Sequence, residues 1–273
     1  MCLAVCATVS FTVEIYRRLE NPIAFIDDRL LRSLSNAYVH WRYFKLLVLP
    51  LQMSADWSFN CVPMIESLQD WDRIAPAVAL YTSLFVLLAV LGVKFLLSLR
   101  STPASVAAAK RSRHVAPTAN AAGVLLFLVC LTIFPFVPAS NWFFPVGTLI
   151  GERLLYLPSI GLCLILAYVL SVAYHGRVTD ELPPKATPAT DTGASSTLER
   201  LGRFLRKALV VLVAVAIIAS YANLTYQRNF HWDSEETLFL SAAQVCPESA
   251  KVQEVRSALA GVRAWVWCSV LRR

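Results

Sequence analysis

Phe144-Pro-Val-Gly-Thr-Leu-Ile-Gly-Glu-Arg-Leu-Leu-Tyr-Leu-Pro-Ser-Ile-Gly161 is the stretch whose reading decides the fold. A Glu152-Arg153 pair stands at the mouth of an apolar run from Leu154 that is long enough to cross a bilayer. Charges at such a boundary are expensive unless they pair or work. Pro158 lies just inside the run and either bends the helix or starts it.

Working outward, the same kind of block recurs. A hydrocarbon core of about 30 Å needs roughly 20 apolar residues of helix. Spans are expected at about 77–99, 120–138, 154–174 and 208–226, with a fifth, shorter one at 1–16. That first block lacks the basic start and small-residue cleavage site of a signal peptide, so it reads as a transmembrane helix. The composition agrees: 57% of the 273 residues are hydrophobic and only 16% charged, against about 25% charged in soluble domains. The fold class is therefore an all-α polytopic membrane protein with about five transmembrane helices.

Loop charge orients it. The 100–119 loop carries Arg100, Lys110, Arg111, Arg113 and His114 without an acidic residue. The 175–207 loop ends in Arg200, Arg203, Arg206 and Lys207. Both face the cytoplasm by the positive-inside rule. The 17–76 loop balances seven basic against seven acidic residues, and falls on the other side with 139–152 and the tail from 227. The net charge of +7 thus reflects topology. No basic stripe interleaved with aromatics suggests nucleic acid. The seven cysteines include no CxxC, and His40 has no second ligand at metal spacing, so no metal is expected.

Within the 17–76 loop, Asn21-Pro22 makes a turn, and 30–49 alternates apolar and basic residues at helical spacing. This predicts one or two amphipathic helices in the interface, ended by Pro50, with Tyr38, Trp41 and Tyr43 at headgroup depth. His40 reads as an interfacial polar residue. Asp56, between Ala55 and Trp57, either caps a local turn or holds an acceptor hydroxyl, a sugar or a metal; the structural reading is preferred. Arg153 offers a planar, permanently charged fork suited to a lipid phosphate. Tyr156 would line the same groove, and Glu152 would orient Arg153, act on an acceptor, or simply pair with an arginine. The 179–197 segment is a Pro/Thr/Ser-rich linker.

After the last span, Asp233 or Ser234 is a good N-cap, and Leu238, Phe239, Ala242 and Val245 share a helical face. Cys246-Pro247 then leads to a second helix, a hairpin without the period of about 34 residues that marks a repeat array. Asn223-Leu-Thr225 fits a glycosylation sequon but lies in or beside the membrane, and is expected to stay unmodified. Cys61 and Cys246 share the oxidising side; pairing is the less favoured of the two readings.

Three marks in order carry a family resemblance. The first runs from Asn21-Pro-Ile-Ala-Phe25 to Asp72-Arg-Ile74, with Arg42-Tyr43, Ser54-Ala-Asp-Trp-Ser58 and Cys61-Val-Pro63 inside it. The second is Gly151-Glu-Arg-Leu-Leu-Tyr-Leu-Pro-Ser-Ile-Gly161. The third joins Arg228-Asn-x-x-Trp232, Leu238-Phe239 and Cys246-Pro-x-x-Ala-Lys-Val252. Over about 15–252 the chain resembles the transmembrane-and-TPR-repeat family of endoplasmic-reticulum protein O-mannosyltransferases. The resemblance implies a partial GT-C glycosyltransferase that transfers mannose from dolichyl phosphate mannose to Ser/Thr hydroxyls of secretory-pathway proteins, cadherin-type domains among them, with inversion and without a cofactor. It further implies a partial first helix at 1–16, a DUF1736-like lumenal loop at 17–76, a membrane region at 77–226, a TPR-like start at 227–252 and a divergent tail at 253–273. On this reading 17–76 and 227–273 are lumenal, while 100–119 and 175–207 are cytoplasmic. The catalytic carboxylate of the first lumenal loop is expected upstream of Met1, and the chain reads as a middle fragment. Arg153, Glu152 and Tyr156 are the donor-phosphate candidates, and Asp56 and Trp57 the acceptor or structural ones. A non-catalytic lipid-binding or scaffolding protein is the alternative; a transporter is disfavoured, because span centres carry almost no charge.

Overall fold

A computed structural model of the chain describes residues 21–100, 121–144, 146–175, 193–249 and 251–258. The expected first span, the basic 101–119 loop and residues 179–192 of the expected linker lie outside these residues; the linker's last part, 193–197, is helical instead, as the start of a long helix. Among the described residues every regular element is helical.

Helix α1, Arg29–Val48, is the amphipathic helix among the described residues of the loop. Asp28 caps it, accepting from the Leu30 and Leu31 amides, which satisfies two of the four orphan donors of a helix start. It ends before Leu49-Pro50, as a residue preceding proline leaves the α region. A 3₁₀ turn, Pro22–Phe25, precedes it. Helix α2 spans Trp71–Arg100, α3 Ala121–Ile133, α4 Tyr156–His175 and α5 Gly193–His231. Helix α6, Glu235–Val245, is capped by Ser234 in a capping box with Thr237, and residues 251–258 are again helical.

Among the described residues four stretches are long and apolar enough to cross a membrane: Trp71–Leu99, Ala121–Ala139, Glu152–His175 and Arg200–His231. They cover, to within a residue at 120, the four later spans expected from the sequence. Their apolar side chains face outward: Phe85, Leu97, Leu212 and Ile218 are all exposed, as lipid-facing residues must be. Helix α5 is far longer than a span, its 39 residues covering on the order of 58 Å. It continues through the basic stretch at its start because no Gly or Pro capable of stopping it follows Leu205 until after His231.

The described residues fall into two compact units. One draws on the chain up to Phe85, on Ile133–Pro158 and on the chain from Leu224; the other on Val86–Thr132 and Ser159–Asn223. In the second unit α4 crosses the end of α3 at Gly161. A Cβ there would stand 2.7 Å from the Thr132 backbone nitrogen, so only glycine permits the approach, the small-residue contact common between membrane helices.

The first unit is where segments remote in sequence meet. Its core is Ile23, Val39, Tyr43, Trp57, Val62, Leu149, Ile150 and Cys246. Each such side chain contributes about 1.5–3 kcal/mol through removal from water. Cys61 and Cys246 form a disulfide across 185 residues, the less favoured of the two sequence readings. Tyr43 and His40 correct the picture of α1 as a surface helix: both are buried against the rest of the unit. The reason is the 3₁₀ turn at Phe134–Ala139, whose Phe136 ring lies edge-on to both of theirs.

Candidate functional site

The boundary carboxylate is tightly engaged. Glu152 sits on a 3₁₀ turn, Glu152–Leu155, that runs directly into α4. Its Oε1 accepts from the Ser54 amide at 2.7 Å and from the Trp57 indole at 3.2 Å. Charge-assisted bonds of this kind are the strong ones. On the other side of Trp57 lies the Arg42 guanidinium, 5.5 Å from the ring centroid. The half-buried Arg228 of α5 acts electrostatically on Glu152. Its Nη1 donates to Ser241 Oγ, and its Nη2 is buried without an acceptor.

The same carboxylate is not spent on its neighbour. Arg153 is exposed, and among the described residues no acidic group pairs with it. Tyr156, 76% exposed, opens α4 beside it. Arg153 and Tyr156 therefore flank an outward-facing edge, while Glu152 turns inward to the loop. Pro158 falls in the first turn of α4 and starts the helix instead of bending it.

Asp56 builds a turn. Its Oδ2 accepts from the Ser58 amide at 3.3 Å, from the Ser58 hydroxyl and from Ser249 Oγ at 2.6 Å, while its backbone carbonyl accepts from Ser54 Oγ. All the demonstrated capacity of this oxygen is used locally and by the segment after the disulfide. Tyr43 Oη accepts from the Gly151 amide at 2.7 Å, which fixes the residue before Glu152. Burial pushes the Tyr43 phenol up to about 12, so it stays protonated, and the Gly151 bond opposes that only in part.

His40 anchors a second network. Nε2 lies 2.7 Å from the Ser140 carbonyl, which can only accept, so Nε2 carries the proton. Nδ1 is then the acceptor for Tyr81 Oη, with the Trp142 indole within reach of both atoms. Burial holds the imidazole down to about 4, against the opposing Ser140 bond, so it is neutral at physiological pH. Among the described residues no group of three His, Cys, Asp or Glu side chains could hold a metal.

Sequence reasoning missed Ser249 and Arg228 as members of these networks, and Asn141, whose Oδ1 accepts from Asn21 Nδ2 and the Val146 amide. Arg228 was visible within the Arg-Asn-x-x-Trp mark; Ser249 and Asn141 gave no local signal.

These features define a class: a multi-pass helical membrane protein whose loops contribute to a compact unit. A family model described as "Protein O-mannosyl-transferase TMTC, DUF1736" matches residues 10–85. Mouse protein O-mannosyl-transferase TMTC1 is 33% identical over 88% of the chain and 20% of its own length. Human TMTC4 is 29% identical over 87% of the chain and 25% of its own length, and Drosophila melanogaster Tmtc3 is 30% identical over 88% and 21%. The chain is similar to these TMTC proteins over most of its own length, and it spans a fifth to a quarter of the length of these relatives. No solved structure matches it.

Proposed function

We propose that the chain is the loop-and-membrane portion of an endoplasmic-reticulum protein O-mannosyltransferase of GT-C type. It would transfer mannose from dolichyl phosphate mannose to Ser/Thr hydroxyls of secretory-pathway proteins, cadherin-like domains among the candidate acceptors, without a cofactor. The observation that carries this is the similarity over 87–88% of the chain to proteins named protein O-mannosyl-transferases, which favours transfer over the lipid-binding or scaffolding alternative. The Cys61–Cys246 disulfide supports a lumenal, oxidising setting for the loop unit.

In this reading Arg153 binds the donor phosphate at the membrane edge, with Tyr156 beside it. Glu152 does not touch the donor; it locks the 54–57 loop against the start of α4 and so sets where Arg153 emerges. Arg228, whose Nη2 is buried without an acceptor, is a second candidate for the same anion. The α6 hairpin is the start of a TPR-like region. The test is Arg153→Lys in the full-length protein, assayed in microsomes with labelled dolichyl phosphate mannose. A bidentate contact becomes a point charge, so the donor KM rises about tenfold. Unchanged donor dependence overturns the assignment.

A further inference from the structure

Helix α5 runs on well beyond its span, and the part left over has two faces. Leu198, Leu201, Leu205 and Ala208 recur at helical spacing, and Arg200, Arg203 and Lys207 repeat that spacing two positions later. Two positions turn the helix by about 200°, so the rows stand on opposite sides. Phe204 joins the apolar side. Leu198, Leu201, Phe204 and Leu205 are all more than half exposed.

Packing fixes where each face looks. Lys207 Nζ stands 5.2 Å from the centre of the Tyr174 ring, near the end of α4. At that level the basic row is the side turned to α4, and the apolar row looks away from it. The apolar row is also continuous with the span, where Leu209 and Leu212 are exposed on the same side and meet lipid.

Length decides what the extra turns encounter. From Leu198 to Tyr226 the helix measures about 42 Å, against about 30 Å of hydrocarbon. Along the bilayer normal the apolar row would end in water. A tilt toward that row, within the range of up to about 40° seen for spans, brings it to the boundary between acyl chains and headgroups and leaves the basic row outermost.

Charge narrows the surface. From Arg200 to Lys207 there are four basic residues and no acidic one. Such a cluster beside a span selects anionic lipid, and by the positive-inside rule it faces the cytoplasmic leaflet, where anionic lipids concentrate. Zwitterionic headgroups suit the leucines but leave the charges without counter-ions, and a nucleic acid suits the charges but not the leucines. We infer that residues 198–207 of α5 dock on an anionic lipid surface, apolar row in the leaflet and basic row on its headgroups. The inference stands apart from the transferase reading, since docking requires neither donor nor acceptor.

The test places a bimane label at Leu201→Cys or at Arg203→Cys, in the full chain with the cysteines outside the disulfide replaced by serine. The labelled chains are studied in nanodiscs containing dibrominated phosphatidylcholine. With about 30 mol% phosphatidylserine, the label at 201 is quenched about threefold more than the label at 203. Omitting phosphatidylserine, or combining Arg200→Gln and Arg203→Gln with the 201 label, lowers that quenching about twofold. The unaltered chain keeps the test valid should the labelled ones misfold: phosphatidylserine slows trypsin cleavage after Arg200 and Arg203 about threefold, and about 0.5 M NaCl restores it. Equal quenching at the two positions, or quenching and cleavage indifferent to phosphatidylserine, overturns the inference. So does shielding of the 201 label from iodide by calcium-loaded calmodulin but not by anionic lipid, which marks the row as a protein-docking helix. None of these outcomes bears on the donor KM of Arg153→Lys.

Discussion

The Trp57 indole donates to Glu152 across 3.2 Å and 95 residues of sequence. This bond, with the Ser54 amide on the same oxygen, makes the boundary carboxylate a structural clamp between the loop and α4. Removing it leaves an indole N–H and an amide without an acceptor. Glu152→Ala therefore costs about 2–4 kcal/mol, while Glu152→Gln keeps an acceptor and costs less. Thermal unfolding in detergent, followed by tryptophan fluorescence, ranks the two; equal losses would contradict the clamp.

His40 imposes a pH dependence. The unfolded chain binds the imidazole proton at the ordinary value of 6.5, the folded protein only near 4. The unfolded state thus takes the proton first. Stability is unaffected above pH 6.5, falls as pH drops from 6.5 to 4, and levels off below. The total loss is roughly 3 kcal/mol. His40→Gln lowers stability at neutral pH but flattens that part of the profile, as melting temperatures between pH 4 and 7.5 would record.

The Cys61–Cys246 pair closes a loop of 185 residues. Its loss costs about 2–5 kcal/mol, and the segment carrying Ser249 should detach from Asp56. Non-reducing electrophoresis separates the wild type from Cys61→Ser, and limited proteolysis near Pro247 accelerates in the variant.

Among the helical glycines, Gly92 and Gly161 should respond oppositely to alanine. Gly92 has nothing within 4 Å of a new Cβ, whereas Gly161 meets Thr132 backbone. Gly92→Ala is neutral or gains up to about 1 kcal/mol in helix propensity. Gly161→Ala forces α3 and α4 apart and loses about 1–3 kcal/mol. Melting temperatures in the same detergent decide the sign of each.

Asp56→Asn keeps the turn geometry but weakens the link to Ser249, because a charged acceptor becomes neutral. A stability loss of about 1 kcal/mol, with the disulfide still formed, is expected by mass spectrometry and thermal melting.

Much of the architecture was legible because its signals are local. An apolar run of about 20 residues spells a span, and Pro50 stops α1 wherever the rest of the chain lies. Ser234 caps α6 through atoms three residues away. The spans also placed 17–76, 139–152 and the tail on one side, and parts of all three pack into the same unit. The burial of Tyr43 and His40 escaped the reading, since an amphipathic helix looks alike whether its apolar face meets lipid or the Phe136 turn.

Taken alone, the sequence determined the class of protein, the positions of the later spans and the residues standing at their mouths, because hydrophobic length and helix punctuation act within a few turns of chain. Only the tertiary structure decided what those residues do to one another. Glu152 chose Trp57 and Ser54 over Arg153, and Asp56 met Ser249 across 193 residues. Cys61 found Cys246, and Asn21 met Asn141. Such pairings carry no periodic or neighbouring trace in the chain, since they form only when remote segments are packed together and buried polar groups must find the partners that water no longer supplies.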